Sequence, residues 1–171
     1  PDSKESAASD VVSVVEAAPI TTAPVKNELP ASLQYRVVDT NRLAEYLHSK
    51  NSLLAEAKYM EPIIAAAEEF GIDPLLLFAI TGQEQAFVPR THKKAKEIGN
   101  NPFNVFHSWE EYNTTITQSA RIAARTIVNS SKNRPADIDP FTWINRRYAE
   151  DPLWADGVRS IWNAMSKRIA D

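Results

Sequence analysis

Apolar side chains recur along most of this chain at intervals of three and four residues, which is the spacing of one face of an α-helix. Leu43, Tyr46 and Leu47 share a face of a helix predicted over residues 41–50, with Thr40 as its N-cap. Shorter patterns predict further helices over residues 53–59 and from Pro62 to Phe70. Alternating apolar and polar positions, as a half-buried strand would have, are not found. The pattern therefore predicts an all-α fold.

The most hydrophobic of these segments is residues 71–87, with the sequence GIDPLLLFAITGQEQAF. Gly71 suits a left-handed helix end, Asp73 suits an N-cap and Pro74 suits a first helical position, where no amide hydrogen is needed. Residues 75–80 are apolar on every side, which is typical of a buried helix. Glu84 follows at the end of this helix, just before the chain turns away at residues 87–89.

The C-terminal half offers three more helix starts. Ser108-Trp109-Glu110-Glu111 has the form of a capping box and predicts a long helix that ends near residue 129. We interpret Glu110 and Glu111 as favourable charges at that N-terminus rather than as catalytic groups. Asp-Pro pairs at 139–140 and 151–152 predict helices over residues 141–147 and 152–169.

The first 38 residues differ in composition from the rest. They contain four prolines and no aromatic residue before Tyr35, so we expect that ordering them would cost more entropy than burial of their limited apolar surface returns. We predict a flexible linker over residues 1–38 and one helical domain over residues 39–171.

Composition narrows the classes of function. The 171-residue chain has no cysteine and a formal net charge of −3, which argues against disulfides, thiolate metal sites and a nucleic-acid partner. Its three histidines are scattered singly, so no metal site or other cofactor is expected. No run reaches the roughly 18 apolar residues of a membrane span. The basic stretch from Arg90 to Lys96 is interpreted as a solvated loop, with a grip on an anionic polymer as the alternative.

The residue pattern is compatible with glycosidic bond cleavage, which needs a proton donor near the leaving oxygen. A carboxyl group can hold that proton near neutral pH only if it is partly desolvated. Glu84 meets this condition if Ile80 and Phe87 shield it, although a glutamate that merely ends a helix and faces water has the same pattern. Residues 100–106 alternate amides and aromatics, which suits either a loop plugging the core or a sugar-binding loop. Glu97 is the candidate for a second carboxylate.

Four segments in order resemble the glucosaminidase family of bacterial cell-wall hydrolases, within the lysozyme-like superfamily. They are GIDPLLLFAITGQEQAF at 71–87, NNPFNVF at 100–106, SWEE at 108–111 and YAEDPLWA at 148–155. The resemblance extends from about Arg42 to Ile169. Each segment alone has low specificity, and the order of the four carries the resemblance.

The resemblance implies a lysozyme-like helical domain with little or no β lobe that acts on the glycan strands of peptidoglycan outside the cytoplasm, as a monomer. It implies endo-β-N-acetylglucosaminidase activity, with Glu84 as general acid and Tyr148 assisting it. The residues expected to bind substrate are Gln83, Asn101, Phe103, Asn104 and Phe106.

One departure from the family pattern leaves alternatives open. Gln85-Ala86-Phe87 stands where the family usually has Gly-Trp-Gly or a similar sequence, and the turn at 83–89 resembles that of lytic transglycosylases. A transglycosylase acting on the same polymer is therefore the first alternative. A non-catalytic module that binds glycan or scaffolds an envelope assembly is the second. We expect hydrolysis, because the segments at 100–106 and 148–155 both favour the glucosaminidases.

Overall fold

A computed structural model describes residues 23–169, and in this range the protein is built from seven α-helices without a sheet. They are α1 (Thr40–Ser49), α2 (Ala57–Phe70), α3 (Pro74–Gln85), α4 (Ala95–Ile98), α5 (Ile116–Ser130), α6 (Pro140–Tyr148) and α7 (Trp154–Ile169). Short 3-10 turns lie at Ala31–Leu33 and Leu53–Ala55. Only isolated bridges, such as Gln34 with Ile72, join extended segments of the described range. The all-α prediction is confirmed.

Helix α3 is the centre of the core. Every residue from Pro74 to Thr81 is buried, and the helix packs mainly against α7, with α2 and α5 also in contact. Its predicted start is confirmed: Gly71 adopts a φ of 70°, and the Asp73 carboxylate accepts a hydrogen bond of 3.0 Å from the Leu75 amide. The free amides at a buried helix start need hydrogen-bond partners, and Asp73 supplies one for Leu75.

The first half of the domain differs in detail from the predicted helices. Asp39, not Thr40, caps α1, because its side chain accepts from the amides of Asn41 and Arg42. Pro62 lies inside α2 instead of starting a helix. The predicted helix over residues 53–59 is divided between the 3-10 turn and the first turn of α2.

The predicted helix start at Ser108 is wrong, since α5 begins at Ile116 with Thr115 as its N-cap. Ser108 does accept a hydrogen bond from the Glu111 amide, and one turn forms there. The side-chain amide of Asn101 then donates to the carbonyl of Tyr112 at 3.0 Å. Asn101 thus ties the turn to the preceding loop, and residues 112–115 follow without helical structure.

Residues 23–38, which were expected to belong to the linker, pack against the domain. Leu29, Leu33 and Val38 are buried. The Asn27 side-chain amide donates to the carbonyls of Phe70 and Gly71, and the amide of Asp73 donates to the carbonyl of Leu33 at 2.9 Å. Three apolar residues in a proline-rich segment, fixed by backbone hydrogen bonds, are enough to order it. The rest of the predicted linker, residues 1–22, lies outside the described range.

Among residues 23–169, no helix has the length and apolar character needed to cross a membrane.

Candidate active site

Glu84 lies in the last turn of α3, where the buried part of the helix ends. Its side chain is fixed by two donors: Asn104 Nδ2 lies 3.0 Å from Oε1, and Trp154 Nε1 lies 2.8 Å from Oε2. The residue is half-buried, and it forms no ion pair with any other residue of the range 23–169. The carboxylate is thus oriented from both sides without being neutralised by a neighbouring cation.

The loop between α4 and α5 brings Asn104 to Glu84. Asn101 organises this loop, since its buried amide donates to the carbonyl of Val105 and accepts from the same residue's amide. Asn104 itself has a φ of 53°, a left-handed conformation that asparagine tolerates better than most residues. Gln85 Nε2 donates to Asn104 Oδ1 at 2.9 Å, which turns the Asn104 amide group toward Glu84.

Tyr148, at the end of α6, packs on the indole that donates to Glu84. Its ring stacks on that of Trp154, with centroids 4.9 Å apart and planes at 21°, and its hydroxyl donates to the carbonyl of Phe103 at 3.0 Å. Burial raises the pKa of the Tyr148 hydroxyl well above its ordinary value, and the negative charge of Glu84 acts in the same direction. The hydroxyl therefore stays protonated and neutral at physiological pH.

Glu84 lies at the edge of a cavity of about 580 Å³. The wall is formed by Glu84, Asn104, Val105, Phe106, His107, Ile122, Thr126, Arg147, Tyr148, Ala149 and Glu150. An adjoining cavity of about 690 Å³ shares His107, Arg147, Tyr148, Ala149 and Glu150 with it. The two together make an open depression large enough for several sugar rings or a comparable ligand.

The structure brings together four of the residues predicted from the sequence. Glu84, Tyr148, Asn104 and Phe106 all line the cavity, and Phe106 is 60% exposed. An exposed ring at the edge of a polar cavity is a suitable surface for stacking a sugar. Asn104 has a more specific position than predicted, since it contacts the candidate acid directly.

Three predicted substrate-binding residues do not face the cavity. Asn101 and Phe103 are completely buried, because the Asn101 amide satisfies loop carbonyls and the Phe103 ring fills the core. Gln83 is exposed, but its side chain covers Gly157 of α7, where a Cβ atom would collide with it. Asn101 and Phe103 therefore present no surface to the cavity in this structure, and Gln83 lies at the α3–α7 contact.

Glu97, the predicted second carboxylate, is also elsewhere. It is exposed in α4, pairs with Lys94 at 3.5 Å, and borders two other depressions. Sequence proximity to the loop suggested Glu97, but the short helix α4 directs it away from Glu84. The carboxylate that shares the Glu84 cavity is instead Glu150, in the connection between α6 and α7.

Sequence reasoning missed Trp154, Glu150, Arg147 and His107. The first three lie within or beside the segment 148–155, which was singled out for Tyr148 alone. A tryptophan in this segment is a usable signal, because a buried indole usually has its N–H directed at a polar partner. Arg147 and His107 carry no local signal that distinguishes them from other exposed basic residues.

A strained turn follows Glu84. Ala86, Phe87 and Val88 have φ values of 48°, 63° and 58°, in a region that is unfavourable for alanine and more so for a β-branched valine. Ser52 holds this turn, since its hydroxyl donates to the Phe87 carbonyl and the Leu53 amide donates to the Val88 carbonyl at 2.9 Å. Phe87 packs over Gly82, where any Cβ atom would meet its ring. The end of α3 is thus fixed in place at the cost of backbone strain.

Within the described residues, no cluster of three or more histidine or acidic side chains is arranged to hold a metal ion. Comparison with known protein families, with characterised proteins and with solved structures gives no match.

Proposed function

We propose that this protein is a glycoside hydrolase that cleaves β-1,4 links of the alternating amino-sugar strand of peptidoglycan, with Glu84 as general acid. The observation that carries the proposal is the position of Glu84: a half-buried carboxylate at the end of a buried helix, oriented by two N–H donors and open to a cavity. The resemblance of four sequence segments to the glucosaminidase family supplies the substrate class, and with it a lysozyme-like fold and an extracytoplasmic site of action.

The hydrogen bonds from Asn104 and Trp154 orient the Glu84 carboxyl group and leave part of its hydrogen-bonding capacity free. Each oxygen of a carboxylate has two lone-pair sites, so one remains on each oxygen after Asn104 and Trp154 have donated. A proton carried at such a site can be delivered to the leaving glycosidic oxygen, provided that the sugar bond lies within about 3 Å of it. The fixed orientation reduces the entropy cost of reaching that geometry.

Glu150 is the second acidic group of the cavity and replaces Glu97 in this role. As an exposed carboxylate it can take a proton from the water that attacks the anomeric carbon, which is the task of the second carboxylate in an inverting glycosidase. The 2-acetamido group of the substrate is the other group able to assist there. Tyr148 stays neutral beside Glu84, and its hydroxyl oxygen accepts a hydrogen bond from substrate more readily than it loses a proton.

Digestion of purified cell walls tests the proposal. Wild-type protein is expected to release soluble glycan fragments, and Glu84→Gln is expected to lose about a hundredfold to ten-thousandfold of that rate while it remains folded. Glu97→Gln is the matched control, because it removes the same charge from an exposed glutamate outside the cavity. A Glu84→Gln protein as active as wild type would refute the assignment.

Mass spectrometry of the fragments distinguishes hydrolysis from transglycosylation. Hydrolysis leaves reducing ends, whereas a lytic transglycosylase leaves anhydro-muramic ends that are lighter by one water. We expect hydrolysis because Glu150 is available to activate water, and the resemblance to the glucosaminidases implies that the new reducing ends are on N-acetylglucosamine. A digest dominated by anhydro ends would assign the protein to the lytic transglycosylases with Glu84 still as acid, and the absence of any release would favour the non-catalytic module.

A further inference from the structure

Basic side chains from the C-terminal half of α6 and from two loops border the depressions next to Glu84. Arg147 lines the Glu84 cavity, the adjoining cavity of about 690 Å³ and a third depression of about 410 Å³. His107 lines both the Glu84 cavity and the adjoining one, the adjoining cavity adds Arg146, and the third depression adds Lys132. We call the side chains of His107, Lys132, Arg146 and Arg147 the basic wall. Through Lys132, Arg146 and Arg147 it is a local concentration of positive charge in a chain whose net charge is −3.

The arginines of the basic wall differ from most others in the described part of the chain. Arg36, Arg42, Arg90, Arg121 and Arg159 each form an ion pair with an acidic side chain. Arg147 is exposed and, within residues 23–169, has neither an ion pair nor a side-chain hydrogen bond. Its guanidinium group is therefore free to bind a ligand.

Arg146 is held in position by its neighbours and not by a charge. Its guanidinium carbon lies 3.6 Å from the centre of the Trp143 ring, and Nη2 donates to the Ser130 carbonyl at 3.4 Å. Trp143 is itself anchored, because its indole N–H donates to the Lys132 carbonyl at 3.0 Å. Stacking fixes the plane of the guanidinium and keeps its charge uncompensated. Of the residues 23–169, Glu150 is the one acidic residue that lines the adjoining cavity.

We propose that the basic wall is a subsite for carboxylate groups carried on short peptides that branch from the glycan strand. This rests on the proposed function, because it requires the strand to occupy the Glu84 cavity. A guanidinium group binds a carboxylate through two parallel N–H bonds, and two adjacent arginines with a histidine suit more than one carboxylate. Since Arg147 borders all three depressions, a strand bound at Glu84 has its branches beside the basic wall.

The basic wall thus gives the enzyme a preference for strands that still carry their peptides. Binding of the sugar backbone alone uses the Glu84 cavity, and binding of a peptide-bearing strand uses both regions. An extended nucleic acid is a poorer ligand, since the carboxylates of Glu84 and Glu150 border the same depressions.

Direct binding measurements on Glu84→Gln protein, which is not expected to cleave its ligand, test the subsite. Three soluble ligands are titrated: glycan fragments with their peptides, the same fragments with peptide carboxylates amidated, and fragments stripped of peptides. We expect the first to bind about tenfold more tightly than the other two. Adding Arg147→Gln is expected to abolish that tenfold difference, so that peptide-bearing, amidated and stripped fragments bind this variant with equal affinity.

Arg125→Gln is the matched control, because Arg125 is exposed on α5, has no acidic partner in the described range and lines none of the three depressions. It is expected to retain the full difference between ligands.

Equal binding of peptide-bearing and stripped fragments would overturn the subsite and leave the proposed function intact. Failure of every glycan to bind would overturn both. Tighter binding of a single-stranded RNA of similar charge would mean that the basic wall binds nucleic acid instead of peptide carboxylates.

Discussion

Helix α3 carries a carboxylate at each end, and an indole of α7 donates a hydrogen bond to each of them. Trp162 Nε1 lies 2.9 Å from Asp73 Oδ2 at the N-terminal end, and Trp154 Nε1 lies 2.8 Å from Glu84 Oε2 at the C-terminal end. The two carboxylates therefore share one supporting helix and one type of donor. They differ in what else surrounds them.

Asp73 is completely buried and is bound by three donors. Besides the indole it accepts from the Leu75 amide, and it forms an ion pair with Arg36 at 3.0 Å. Glu84 is half-buried, lies at a cavity and has no ion pair within residues 23–169. A carboxylate whose hydrogen-bonding capacity is met by its own fold stabilises that fold, whereas one with capacity left over at a cavity is available for chemistry.

The largest effect is expected from removing the segment that supplies Arg36. A chain beginning at Asp39 loses the buried Leu29, Leu33 and Val38 and leaves Asp73 buried without its cation. Each lost apolar side chain costs about 1.5–3 kcal/mol, and the total is comparable to the whole stability of a small domain. We expect this truncated chain to be mostly unfolded by circular dichroism and thermal melting.

A chain beginning at Ala23 is the control for that truncation. It keeps every contact described between residues 23–38 and the helices, so its melting temperature is expected to match that of the full chain. A stable, cooperatively folding protein from residue 39 onward would show that the contacts of Asp73 and Leu33 contribute little.

The next largest effect on stability is expected when the same change, from carboxylate to amide, is made at Asp73 and at Glu84. Asp73→Asn replaces the ion pair with Arg36 by an amide and is expected to lower the free energy of unfolding by about 3 kcal/mol. Glu84→Gln, at a half-buried site next to a cavity, is expected to lower it by no more than about 1 kcal/mol. Urea unfolding of the two variants measures both values. Equal losses would mean that Glu84 is as much a structural group as Asp73.

Substitution of the two indoles gives a finer test, with a smaller expected loss in the free energy of unfolding. Trp154→Phe and Trp162→Phe each remove one N–H donor to a carboxylate, and each is expected to reduce stability by about 1.5–3 kcal/mol. Only Trp154→Phe releases the candidate acid, so it alone is expected to lower cell-wall cleavage, by about tenfold, at a temperature where both proteins are folded. Equal activities of the two folded variants would remove Trp154 from the site.

Local sequence signals predicted the start of α3 correctly, because Gly71, Asp73 and Pro74 act on their immediate neighbours. The same signals failed at Ser108, where the deciding contact comes from Asn101 and depends on how a loop folds back. Burial of α3 could be predicted from its composition, and with it the unusual position of Glu84 at its end. The direction of a side chain in an irregular loop could not, which is why Asn101 and Phe103 were assigned to substrate and lie in the interior.

The hydrogen-bond and ion-pair partners of Glu84 and Asp73 also could not be predicted from local sequence. Trp154 is 70 positions away in the chain and reaches Glu84 only because α7 packs along α3. Arg36 likewise reaches Asp73 from a segment whose composition predicted a linker. Both contacts arise from tertiary packing, and neither can be predicted from the periodicity of its own segment.

The smallest expected effect concerns the backbone that holds Glu84. Ala86 follows α3 with a φ of 48°, and glycine adopts this conformation without the Cβ conflict. Ala86→Gly is therefore expected to raise the free energy of unfolding by up to about 1 kcal/mol, after the greater entropy of the unfolded chain is subtracted. Ala79→Gly, within the same helix, should instead lower it by at least about 1 kcal/mol. Because glycine keeps the turn and the two donors to Glu84, cleavage activity should be unchanged in Ala86→Gly. A loss of activity with a gain in stability would show that the strain itself, and not only the position it enforces, is needed at the Glu84 end of α3.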